Sequence, residues 1–140
     1  MSMSAEATNV NWLMINFVDH TPGVTQAVAV SSDGLLIALS SGCERNAADK
    51  LAAVITGMRA LAHGASTEIG RGPVVQVLVE MKDAYLFVTA ISGGSTLGVV
   101  ANRDCDLGLV GYEIAMIVDR VGSSLTPGLI SELKNSLVGV

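Results

Sequence analysis

The sequence predicts a single α/β domain: a five-stranded antiparallel sheet flanked by helices on both faces, in the order helix, hairpin, long helix, three-strand meander, helix. Three observations predict it. Apolar residues recur at i, i+3, i+4 and i+7 in separate segments, which is the helical period. Five short apolar runs lie between these segments, two in a hairpin and three in a meander, and the links within the meander are too short for the crossover that parallel strands need. The run Tyr85 to Ile91, YLFVTAI, is apolar on both faces, so helices must cover the sheet from both sides.

Val10, Leu13, Met14 and Phe17 form the inner stripe of a first helix over residues 9–20. Thr8 or Asn9 can cap it and Pro22-Gly23 ends it, leaving 1–8 as a flexible N-terminus. A hairpin follows, with strands over 24–31 and 35–40 around Asp33-Gly34, where glycine supplies the positive φ of a tight turn. Turn formation accounts for Asp33, and no chemistry is assigned to it. Residues 45–65 read as a long helix with Leu51, Val54, Ile55, Met58 and Ala62 along one face. Strands over 74–81, 85–91 and 96–101 make the meander, turning at Lys82-Asp83 and Gly93-Gly94. Asp104 or Asp106 caps a helix over 107–122 whose inner stripe is Leu107, Gly111, Ile114, Val118 and Val121. The domain proper is therefore 9–122. Residues 123–140 form a tail in which Thr126-Pro127 starts a short helix with Leu129, Ile130, Leu133 and Leu137 on its apolar side.

Composition narrows the function. Eight basic residues against thirteen acidic ones give a net charge of −5, and no stripe of Lys and Arg marks a nucleic-acid partner. No apolar run approaches the roughly 18 residues that a membrane span requires, so direct membrane insertion is not expected. The polar start MSMSAEATN lacks the pattern of a secretory signal, and a cytoplasmic location is expected. Cys43 and Cys105 stand far apart without further ligands at metal spacing, and read as reduced, small buried hydrophobes.

Catalytic machinery is not visible. The loop Ser92-Gly93-Gly94-Ser95-Thr96 lacks the phosphate-loop pattern and opens a strand instead of a helix, so it reads as a hairpin turn. His20 and His63 fall at or near helix ends with no nucleophile or carboxylate at helical spacing. No cofactor or metal is expected, and the chain alone is expected neither to bind nor to hydrolyse GTP.

One helical surface is unusual. At roughly 100° per residue, Ala53, Gly57, Ala60 and Gly64 line up opposite the sheet-facing side of the long helix, where charge would be expected. Glycine inside a helix costs about 1 kcal/mol relative to alanine. The stripe is either a close helix–helix contact or an Ala-rich composition, and the glycine cost favours contact. Trp12, Ile15 and Asp19 lie on the outer side of the first helix, and Leu109, Tyr112 and Met116 on the outer side of the last. They either pack helix against helix or form a second partner surface.

The stretches NWLMINFVDHTPGVTQAVAVSSDGLLIALSSG (11–42), ADKLAAVITGMRALAHGA (48–65) and RDCDLGLVGYEIAMIVDRVG (103–122) resemble the Roadblock (dynein light-chain type) domain family. They are most similar to its bacterial branch, encoded with a small Ras-like GTPase and a histidine-kinase-like sensor. The resemblance covers residues 9–122 and implies a Roadblock/profilin-like fold. It implies a non-enzymatic homodimer, at most a GTPase-activating partner, that regulates or scaffolds a small Ras-like GTPase. A histidine-kinase-like sensor is a further implied partner. The family's dimer would pair residues 74–80 and the helix 45–65 across a two-fold axis, with Ala53, Gly57, Ala60, Gly64, Val75, Val77 and Val79 at the interface. Arg45, Asp49, Thr56, Arg59 and His63 would form the face offered to the GTPase. Arg45 and Arg59 are either candidates to act in trans on a nucleotide or solvated surface charges.

The alternative from another class is a small-molecule sensor of the PAS or GAF kind. One Trp, two Tyr and two Phe supply few aromatics for the cavity such a domain needs.

Overall fold

The computed structural model describes residues 3–40 and 42–138. The elements are α1 (Ala5–His20), β1 (Val24–Val30), β2 (Leu36–Leu39), α2 (Arg45–Ile69), β3 (Gln76–Glu80), β4 (Ala84–Ala90), β5 (Thr96–Asn102), α3 (Leu107–Gly122) and α4 (Pro127–Val138). A 3₁₀ turn, Ser92–Gly94, joins β4 to β5. The strands form one sheet in the order β2-β1-β5-β4-β3, each neighbour antiparallel. The hairpin is thus joined to the meander through β1 and β5, in a register that sets Val28 opposite Gly98.

Alternation along the strands makes two cores. Ala27, Ala29, Tyr85, Phe87, Leu97 and Val99 face α1, α3 and α4. Val28, Val30, Leu36, Leu86 and Val88 face α2. Both faces of β4 are buried, as YLFVTAI requires.

Several boundaries and stripes differ from the sequence reading. Helix α1 starts at Ala5, not at residue 9, so residues 5–8 of the expected flexible N-terminus are helical. Ser4, not Thr8 or Asn9, is the cap: its Oγ accepts from Ala7 N at 3.2 Å, and its own N–H donates to Glu132 on α4 at 2.7 Å. Residues 1–2 and 139–140 of the expected termini lie outside the described residues. Helix α2 runs on to Ile69 and stops at Gly70, whose φ of 71° makes the left-handed cap. His63 consequently lies inside the helix and not near its end.

The buried stripe of α2 is Ala48, Ala52 and Ile55, whereas Val54 turns outward. Small alanines let the helix settle close to the sheet, and a stripe chosen by side-chain size misses them. The same shift occurs on α3, where Val110, Ile114, Ile117 and Val121 are buried and Leu107 is exposed. The inner stripe of α1 and the turn at Gly34, φ 85°, are as the sequence predicts.

Helix α4 packs along β2, the edge strand. Leu129 and Leu133 join the core beneath α1, while Leu137 reaches the core beneath α2, so the helix passes across that edge. Polar contacts fasten it: Lys134 Nζ donates to Asp33 Oδ2 at 2.8 Å, and Arg45 Nη1 donates to the Leu137 carbonyl at 2.7 Å. At the sheet's other edge, β3 has no further strand paired to its outer side among the described residues.

Candidate functional site

Helix α2 and the residue that leads into β3 leave apolar side chains open on one side of the sheet. Ala53, Gly57, Ala60 and Gly64 are all exposed, and a β-carbon at Gly57 or Gly64 would meet nothing within 4 Å. No contact among the described residues therefore explains either glycine. Larger exposed residues flank the stripe: Val54 is 54% exposed and Leu61 80%. Val75, just before β3, is 73% exposed. Val77 and Val79 point to the same side of the sheet as Val75 but are half-buried against the core beneath α2. Leu78, on the opposite face, is exposed. Sequence reasoning missed Val54 and Leu61 because it placed the first on the inner stripe and gave the second no role.

The expected GTPase-binding residues divide into two groups. Arg45 and Asp49 sit in the first turns of α2 and pair with each other at 3.2 Å, Arg45 also holding the end of α4. Thr56, Arg59 and His63 lie further along, on the flank opposite Leu61. They line a cleft of about 260 Å³ with Ser31, Ser32, Ala60, Gly94 and Thr96. Arg59 is more than a solvated charge. Its Nη1 donates to the Gly94 carbonyl at 3.3 Å, the Ser95 carbonyl at 3.0 Å and Thr96 Oγ1 at 2.7 Å. No local sequence signal links residue 59 to residues 94–96; only the fold brings them together.

On the other side of the sheet, α1 and α3 touch but do not close over their outer residues. Trp12 and Tyr112 are more than half exposed, and Ile15, Leu109 and Met116 are also exposed. The expected helix-to-helix packing of these side chains is thus not formed. Leu13, Asn16, Phe17, Tyr112, Glu113, Met116, Ile117 and Arg120 line a groove of about 250 Å³ there.

The two cysteines are half-buried, less than the sequence reading had it, and both are unpaired thiols. Burial pushes both thiols up, with Glu44 adding to the effect at Cys43 and Asp104 at Cys105. Asp33, given no role from sequence, is held down at about 2 by its hydrogen bond from Lys134 and then by that from Ser31. Among the described residues no three His, Cys, Asp or Glu side chains are grouped to hold a metal ion. No helix among them is long and apolar enough to cross a membrane.

Known proteins carry the same architecture. The Roadblock/LC7 domain family matches residues 10–101. A Roadblock/LC7 domain from Streptomyces avermitilis is 38% identical, over 79% of this chain and 92% of that one, with a TM-score of 0.75. Myxococcus xanthus MglB is 20% identical over 90% and 97% of the two chains, with a TM-score of 0.79. An MglB with a tetrameric arrangement is 13% identical over 89% and 93%, with a TM-score of 0.78. No curated protein sequence matches the chain. The sensor alternative gains no support from these relatives. A family match spanning more than half of the sequence, joined to a 38%-identical structure of the same domain, means that this chain belongs to the Roadblock/LC7 family.

Proposed function

We propose that this chain is a non-enzymatic regulator or scaffold that works as a homodimer in the bacterial cytoplasm and docks a small Ras-like GTPase. The observation that carries the reading is the bare outer face of α2 beside the open β3 edge. Two helical glycines with no contact inside the chain, together with Val54, Leu61 and Val75, leave an apolar surface that water does not favour. An uncovered apolar edge strand invites pairing with another chain, and a second copy of β3 supplies it. The tetrameric arrangement of an MglB supports self-association as a property of this fold. GTPase docking rests on the resemblance to the bacterial Roadblock branch, and α2, carrying Thr56, Arg59 and His63 beside the small stripe, is the face assigned to it. A histidine-kinase-like partner has no support from the relatives and is left out.

Light scattering on the purified chain at micromolar concentration tests the first half, and a stable monomer would refute it. For the second half, the chain is immobilised and offered Ras-like GTPases loaded with GDP or with a non-hydrolysable GTP analogue. Retention that depends on the nucleotide is expected; none in either state would remove the GTPase from the proposal.

A further inference from the structure

We propose that the cleft on the flank of α2 is a receptor for a single carboxylate, supplied by an Asp or Glu side chain of the docked partner. The identity of the occupant rests on the GTPase-docking reading above, whereas the site rests on geometry alone. Three separated segments converge here: the β1–β2 turn, the middle of α2 and the 3₁₀ turn before β5. Glycines permit the approach. A β-carbon at Gly34 would lie 3.4 Å from Thr56 Oγ1, and one at Gly94, φ 92°, would lie 3.3 Å from Ser32 Cβ.

Arg59 is the centre of the arrangement. Its three hydrogen bonds all leave from Nη1, so the guanidinium is fixed while Nε and Nη2 have no partner among the described residues. Those two nitrogens form one edge of the planar group, with parallel N–H bonds spaced to hold both oxygens of a carboxylate. Most of the conformational cost of ordering a long side chain has already been met by the turn it holds.

The charge around Arg59 agrees. Among the described residues no Asp or Glu lines the cleft, although the chain as a whole carries a net charge of −5. Asp33, in the adjoining turn, is balanced by Lys134. One fixed guanidinium matches one negative charge. A dianionic phosphate would bring two negative charges to that one guanidinium.

The test is a nuclear magnetic resonance titration of the ¹⁵N-labelled full chain with N-acetyl-aspartate methylamide. The neutral asparagine analogue and sodium chloride at matched ionic strength are the controls. The Arg59 Nε–H signal and the backbone amides of Ser32 and Gly94 should shift saturably with the carboxylate alone. Arg59→Lys keeps the charge and can keep one bond to the turn, yet lacks the two-pronged edge, and should weaken binding by about fivefold or more. Linear shifts, equal shifts with the asparagine analogue, or an unchanged midpoint in a folded Arg59→Lys chain would overturn the site. Nucleotide-dependent GTPase retention with no carboxylate saturation would reject the site and leave the regulator reading standing. Saturation without GTPase retention would do the reverse.

Discussion

The δ-methyl of Ile55 occupies the place where a β-carbon on Gly98 would stand. Ile55 is fully buried on α2, and Gly98 lies in the middle of β5 between Val28 and Val88. The long helix therefore rests on the sheet through a methyl group seated in a gap that glycine creates. Gly98→Ala should cost about 1–3 kcal/mol through overpacking. Ile55→Val removes the offending methyl and alone should cost about 0.5–1.5 kcal/mol. Combined, the two substitutions should cost clearly less than the sum of the single effects. Urea unfolding at one protein concentration measures all four proteins, and additive costs would refute the contact.

The pairing of Asp33 with Lys134 makes a pH prediction. A carboxyl lowered from 3.8 to about 2 stabilises the fold above its unfolded value, and that contribution is lost as pH falls from 3.8 through about 2. Lys134→Met should move the Asp33 titration upward, with the Ser31 bond retaining part of the shift. Carbon-13 resonance of the Asp33 carboxyl against pH reads this directly. An unmoved midpoint would mean that α4 is not held to the turn in solution.

Gly57 separates folding from association. A β-carbon there meets nothing within the chain, so Gly57→Ala should stabilise an isolated chain by up to about 1 kcal/mol. Gly57→Leu should fold equally well yet weaken self-association, and with it GTPase retention. Sedimentation equilibrium gives the first quantity and the immobilised assay the second. A dimeric Gly57→Leu chain with unchanged partner binding would make the small stripe mere composition.

Cys43 and Cys105 should be sluggish thiols. Burial is the main cause of the raised values at both, so each should carry little thiolate near neutral pH. Alkylation followed by intact mass should be slow in the native chain and fast in urea. Equal rates would show that neither side chain is sheltered.

Element order, hairpin turn and sheet class were legible because each rests on local signals: helical period, Asp-Gly at a turn, and links too short to cross over. The phase of α2 was not, because Ala48 and Ala52 carry smaller side chains than Val54 yet are the ones that face the sheet. What decides that phase is the gap at Gly98, more than forty residues along the chain. The α2 candidates suffered in the same way. Thr56, Arg59 and His63 could be placed on one side of a helix, but Ser32 and Gly94 become their neighbours only when β1 pairs with β5. Arg45, paired with Asp49, ties α2 to α4, and no pattern around residue 45 announces a partner at residue 137.

Helix α4 across the β2 edge gives the sheet a polarity of growth. Strand addition at β3 by a like copy is isologous: the two open edges consume each other, and both ends of the resulting ten-stranded sheet are β2. Each of those ends already lies under Leu129, Leu133 and Leu137. The pair is then a terminated product with no free template for a third copy, and β-mediated polymerisation stops after one step. Without the helix, the same sheet would present an acceptor edge at both ends, the condition for an open-ended fibre. In the proposed dimer the tail would thus be a chain terminator built into the monomer.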